Sequence, residues 1–239
     1  MKKNITNVLL ILASTFTATA CSNIDYDGEY SKNGYYTGSN QISLNIKSEA
    51  DTLRYYTFSD KPSDTLEHVM RIPVILTGKI LDKTQAYKVK VDPCSTAKEG
   101  IHYKKLNDVY FLPANQSKAS FGVTLLRKNL SEVSNDSIRL VLQLEPTSDL
   151  GLRFSKRTKI TIEFNNVFLK PDYWNILEMW GIGEYHVAKH KKLLEYCNYD
   201  TNMIDDFFIK GNMDLFMPIY NNVLKVITYF NAHPDELKK

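Results

Sequence analysis

Cysteine is scarce in this chain: three in 239 residues, at positions 21, 94 and 197. Cys94 and Cys197 lie in segments of different pattern, so two unpaired thiols are expected rather than a disulfide. Two cysteines at that spacing supply no zinc framework. Charge of one sign is not concentrated either. There are 30 Lys and Arg against 27 Asp and Glu, mixed along the chain, for a net charge of +3. Without a basic stripe, nucleic acid is excluded as a partner. Beyond the N-terminus no apolar run is long enough to span a bilayer. No Gly-x-Ser-x-Gly elbow occurs. No two carboxylates stand out as a glycosidase pair. Cys94 and His102 are near in sequence, but nothing aligns them as nucleophile and base. His186 and His190 have the four-residue spacing of a helical metal pair, yet no third ligand accompanies them. These absences predict a non-enzyme with no cofactor, no metal and no catalytic residue.

What is present begins at the N-terminus. Lys2 and Lys3 precede an apolar run over 8–13, and Ala18-Thr19-Ala20-Cys21 closes the segment. A basic start, a short apolar stretch and small residues at a cut describe a secretory signal peptide, residues 1–20. The cysteine directly after the cut resembles the lipobox of bacterial lipoproteins. That resemblance implies lipidation at Cys21, with several acyl chains that each contribute about 0.8 kcal/mol per buried methylene. Residues 21–34 are polar and acidic with no period, which predicts a flexible tether. Ser22 after the cysteine resembles the sorting pattern that avoids inner-membrane retention. Asp25, Asp27 and Glu29 resemble the acidic export tag of Bacteroidetes-type lipoproteins. The address implied is the outer membrane, lipid-anchored and facing the cell surface.

Residues 35–167 read as β-structure. Ile42, Leu44 and Ile46 alternate with polar residues, as do Tyr87, Val89 and Val91, and Phe121, Val123 and Leu125. Ile138, Leu140, Leu142 and Leu144 give the clearest period of two, and Ile160, Ile162 and Phe164 the last. Residues 53–58 and 109–112 add short candidates. The apolar stretch over 69–80 contains Pro73, which predicts an edge position or a bulge. Turn signals at Asp92-Pro93, Glu99-Gly100, Pro113-Ala114-Asn115, Ser134-Asn135-Asp136 and Glu145-Pro146 separate them. Seven or eight short strands in this span predict an antiparallel β-sandwich.

Ala97-Lys98-Glu99-Gly100-Ile101-His102-Tyr103, followed by Val109-Tyr110-Phe111-Leu112-Pro113-Ala114-Asn115-Gln116-Ser117, resembles the Calx-beta class of immunoglobulin-like sandwiches. His102 stands where that class commonly has Asp, and no acidic cluster lies nearby, so a calcium site is not expected.

Residues 168–239 change to helical spacing. Ile176, Leu177 and Trp180 precede breaks at Gly181 and Gly183. Val187, His190, Leu194 and Cys197 follow, then Ile204, Phe207 and Phe208. Phe216, Ile219, Tyr220, Val223, Leu224, Ile227 and Phe230 form a strong amphipathic set. Pro171, Trp174, Gly181, Gly183, Tyr185, His186 and Lys189 resemble a stretch that recurs in uncharacterised Bacteroidetes-type surface lipoproteins. That resemblance implies a sandwich with a helical tail, and association with an outer-membrane transporter or glycan uptake system.

Tyr173, Trp174, Trp180 and Tyr185 gather around the predicted junction. They are the candidate ligand-binding aromatics, since aromatic faces stack on sugar rings; the competing reading makes them packing between helices and sandwich. Tyr35-Tyr36 and Tyr55-Tyr56 form a second candidate surface, because in a strand one member of each pair faces outward. The expected function is a ligand-binding accessory for a glycan or peptide. The alternatives are an interaction protein of the outer membrane and, behind it, a hydrolase.

Overall fold

The computed structural model describes residues 38–133 and 138–238. The signal segment, Cys21, the tether, Tyr35, Tyr36 and the Ser134-Asn135-Asp136 turn lie outside the described residues. Among the described residues nine strands form two facing sheets: β1 Gln41–Leu44, β2 Leu53–Thr57, β3 Glu67–Thr77, β4 Gln85–Val91, β5 Tyr110–Leu112, β6 Lys118–Leu126, β7 Ile138–Glu145, β8 Gly151–Leu152 and β9 Lys159–Asn165. One sheet has the order β6-β3-β1-β8, the other β2-β9-β7-β4-β5. The alternating residues meet between them. In the five-stranded sheet Leu140 pairs with Ile162 and Leu142 with Ile160, and all four are buried against Ile42, Leu44, Ile72, Val74, Phe121 and Val123 of the other sheet. Each such side chain stabilises the fold by about 1.5–3 kcal/mol.

The sandwich departs from a purely antiparallel layout at two sheet edges. β8 runs parallel to β1, and β2 runs parallel to β9. β8 arises because the chain leaves β7, crosses to the other sheet for two residues, and returns to β9. A second difference concerns Pro73, which lies in an interior strand and in unbroken register with β6, rather than at an edge or a bulge. Its carbonyl accepts from Asn45 N at 2.9 Å, one residue past Leu44, where β1 ends. The donor that proline lacks falls where that ladder is already ending.

The helices are α1 Trp174–Met179, α2 Val187–Tyr196, α3 Thr201–Phe208 and α4 Phe216–Ala232. Gly181 and Gly183 separate α1 from α2 with φ of 94° and 78°, a region open to glycine at little cost. The His186 ring accepts from Ala188 N at 3.1 Å and caps α2. Asp200 caps α3 through Met203 N at 3.1 Å. Trp174, Leu177, Leu194, Ile204, Ile219, Val223, Val226 and Phe230 form a second buried cluster.

The two parts meet along the connection between β2 and β3. Ser59 and Asp60 border a hollow with Tyr173 and His190, while within the sandwich Phe58 N donates to Asn165 O at 2.9 Å and Thr57 Oγ1 to Asn165 Oδ1 at 2.8 Å. Across from it, Phe168 N donates to Glu132 O at 3.1 Å, and Lys191 Nζ reaches Glu132 Oε1 at 2.7 Å.

Candidate functional site

Ser59, Asp60 and Lys61 follow β2 and stand where three depressions converge. The first lies on the edge of the five-stranded sheet, with a volume of about 310 Å³, and is lined by Tyr55, Tyr56, Thr57, Asp60, Lys61, Glu163 and Asn165. The second is a hollow of about 90 Å³ bordered by Ser59, Asp60, Tyr173, His190, Thr201 and Asp205, among others. The third is a cleft of about 250 Å³ between this connection and α2; Lys61, Arg127, Phe168, Lys191, Glu195 and Phe230 are among its lining. Ligand sites concentrate at such junctions between packed units.

Strand geometry explains the first depression. In the parallel register Tyr55 lies beside Glu163 and Thr57 beside Asn165, on the outer face. Tyr55 is 70% exposed. Tyr56 takes the opposite face, stacked on His68 with ring centroids 3.8 Å apart and edge-on to Phe58 at 4.9 Å. The alternation read from the sequence therefore holds for this pair. An open aromatic ring beside carboxylates, an amide and a lysine combines a stacking face with hydrogen-bonding groups.

Asp60 joins all this to the hollow. Its Oδ2 lies 3.2 Å from Lys61 Nζ, while its Oδ1 is buried with no hydrogen-bond partner among the described residues. His190 borders the same hollow. Its Nδ1 lies 3.3 Å from the Tyr185 hydroxyl, and its ring meets Trp174 and Phe168 edge-on at 5.8 Å. Burial pushes the imidazole down to about 4, so it is neutral at pH 7. Burial raises the Tyr173 hydroxyl above its ordinary range, and pushes Tyr185 up to about 12.

The four aromatics singled out at the junction do not form one platform. Trp174 is fully buried, with Tyr185 edge-on at 4.9 Å and its indole Nε1 donating to Gly183 O at 3.3 Å. It offers no face to a ligand, which corrects that expectation. A tryptophan at the start of a short helix fills the space left among four helices, and sequence alone does not separate that role from display. Tyr173 stacks on Phe208 at 4.5 Å. Trp180 belongs to a different group, edge-on to Phe216 and Tyr220 at 5.5 Å each. In the same helical unit Met179, Ile209, Met213 and Met217 are exposed.

Of the other candidates, His186 is occupied as a helix cap and His190 as packing, so the pair does not converge on an ion. Among the described residues no group of three or more His, Cys, Asp or Glu is placed to hold a metal. Cys94 is exposed and Cys197 buried, both as free thiols. The Asp92 carboxylate raises the Cys94 thiol, which disfavours the reactive thiolate. His102 instead accepts from Lys98 N at 3.0 Å through Nδ1. Among the described residues no helix is long and apolar enough to cross a membrane.

The family model described as a domain of unknown function, DUF4843, matches residues 30–199. The chain belongs to this family. The matched DUF4843 region includes the sandwich, α1 and α2, and hence Tyr55, Asp60, Lys61, Glu163, Asn165 and His190. No curated protein matches the sequence. Among solved structures the chain is similar to the apo-form Calx CBD1 domain, with a TM-score of 0.39 at 11% identity over 54% of this chain and 100% of that one. A Bacteroides ovatus protein described as a carbohydrate-binding candidate gives 0.39 at 8% identity, over 54% of this chain and 37% of that one. A Bacteroides ovatus multidomain protein including DUF1735 gives 0.38 at 13%, over 55% and 46%. The chain spans less than half the length of these two Bacteroides proteins.

Proposed function

We propose that this chain is a non-catalytic surface lipoprotein that captures a glycan on the edge of its sandwich. The observation that carries the reading is Tyr55. Its ring is open to solvent on an outer strand face, and Glu163, Asn165, Asp60 and Lys61 surround it within one depression. A saccharide ring presents an apolar C–H face and a rim of hydroxyls. Tyr55 supplies the stacking surface, and the carboxylates, amide and ammonium supply acceptors and donors for the rim. In this reading residues 1–20 are removed, Cys21 carries the lipid, and residues 21–34 hold the sandwich of 35–167 and the helical unit of 168–239 away from the outer membrane. The partner is then an outer-membrane transporter that receives the glycan.

The test is binding of the full chain to a broad panel of polysaccharides and oligosaccharides. Saturable binding that Tyr55→Ala abolishes supports the reading; a panel without any binding overturns it. A second reading, an interaction protein of the envelope, draws on the exposed apolar residues Met179, Ile209, Met213 and Met217 of the helical unit. Loss of a co-purifying envelope protein in a Met179→Asp, Met217→Asp variant, with glycan binding absent throughout, favours that reading instead.

A further inference from the structure

The cleft between the β2–β3 connection and α2 contains a buried guanidinium, that of Arg127, in no ion pair among the described residues. Arg127 is the residue directly after β6, and it is 7% exposed. Its Nη1 donates to the carbonyls of Lys61 and Thr65 at 3.5 Å each and to that of Pro62. Its guanidinium carbon lies 5.9 Å from the centre of the Phe58 ring. The cations beside it are all matched: Lys61 to Asp60 at 3.2 Å, Lys191 to Glu132 at 2.7 Å, and Lys192 to Glu195 at 2.8 Å. Arg127 has no carboxylate partner among the described residues. Carbonyl dipoles offset part of the penalty of burying a cation, but they carry no counter-charge.

A guanidinium has five N–H donors in a fixed planar fork. The side-chain bonds that Arg127 makes among the described residues all leave from Nη1, so Nε and Nη2 remain for a ligand. Arg127 lines the cleft of about 250 Å³ together with Ser59 and Ser63. A fork of this kind matches the two oxygens of a carboxylate. We infer that the cleft is a carboxylate-binding site anchored by Arg127, and that its ligand is a glycan containing uronic acid. The second half of this inference rests on the glycan reading above. Lys61 lines both the depression under Tyr55 and this cleft, so one saccharide chain can lay a ring over Tyr55 and turn a neighbouring carboxylate toward Arg127.

The experiment is calorimetric titration of the full-length protein with four probes: an oligogalacturonate, its fully methyl-esterified form, a neutral oligosaccharide of equal length, and an acidic peptide with a free C-terminus. The free acid should bind more tightly than the ester by roughly tenfold or more, the range of hydrogen bonds to a charged partner. Added salt and Arg127→Gln should both shrink that gap. Equal affinity for acid and ester overturns the inference, as does a gap that survives in Arg127→Gln, or a peptide that binds more tightly than the uronate. If Arg127→Gln does not fold, the acid-to-ester ratio in the unaltered protein still decides. Binding of the neutral oligosaccharide with no preference for the acid overturns the carboxylate site alone. Failure of every saccharide overturns it together with the glycan reading.

Discussion

Replacing Trp174 and Tyr55 by alanine, one at a time, separates an internal aromatic from a displayed one. Trp174 is fully buried. Removing it leaves a cavity among Leu177, Leu194 and Phe230 of the helical cluster, and truncations of that kind cost about 3–5 kcal/mol. Two specific losses lie within that figure. The indole bond to Gly183 O at 3.3 Å disappears, leaving a carbonyl to find another donor. The edge contact with Tyr185 at 4.9 Å also goes, a pairing worth about 0.5–1.5 kcal/mol. Tyr55 is 70% exposed, so its replacement should change stability by about 0.5 kcal/mol or less. Urea denaturation followed by far-ultraviolet circular dichroism measures both. Trp174→Ala should lower the midpoint strongly, while Tyr55→Ala leaves it in place and removes ligand binding. A Trp174→Ala protein destabilised by less than about 1 kcal/mol would refute the packing argument. So would one that keeps its stability and loses the ligand.

Further outcomes follow from single residues. Cys21→Ala should move the protein from the membrane fraction to the soluble fraction; retention in the membrane contradicts the anchor. His190 titrates at about 4 in the fold against about 6.5 unfolded. The unfolded chain thus binds the extra proton between those values, so the stability is fully present above pH 6.5 and falls toward pH 4. The loss is of the order of 3 kcal/mol. Denaturation at pH 7.5 and 4.5 checks it, and His190→Gln should flatten the dependence. In Cys21→Ala protein a thiol reagent should modify Cys94 in the native state and Cys197 only after denaturant is added. Two fast thiols would contradict the burial of Cys197.

The parts of this fold that were legible in the sequence are those where one physical rule acts locally. Alternation in the β7 and β9 segments placed Leu140, Leu142, Ile160 and Ile162 between sheets, because a strand with one buried face must alternate. The same rule assigned one of Tyr55 and Tyr56 to solvent. β8 left no trace, since two residues that cross to the other sheet show no period. Pro73 read as an edge position or a bulge because the ladder it interrupts depends on where β1 stops, a matter of long-range pairing. The junction aromatics were recognisable as a group, but not as buried or displayed, because that depends on how the helices close over Trp174. Asp60, Lys61 and Arg127 carried no sequence signal at all. They are isolated polar residues whose meeting is made by the approach of the β2–β3 connection to the end of β6.

The most direct test of the account is glycan-panel binding by the unaltered chain and by Tyr55→Ala and Trp180→Ala variants. Saturable binding to at least one saccharide class is expected, lost in Tyr55→Ala and kept in Trp180→Ala. Binding that survives in Tyr55→Ala and disappears in Trp180→Ala would contradict it and move the site to the helical end of the molecule.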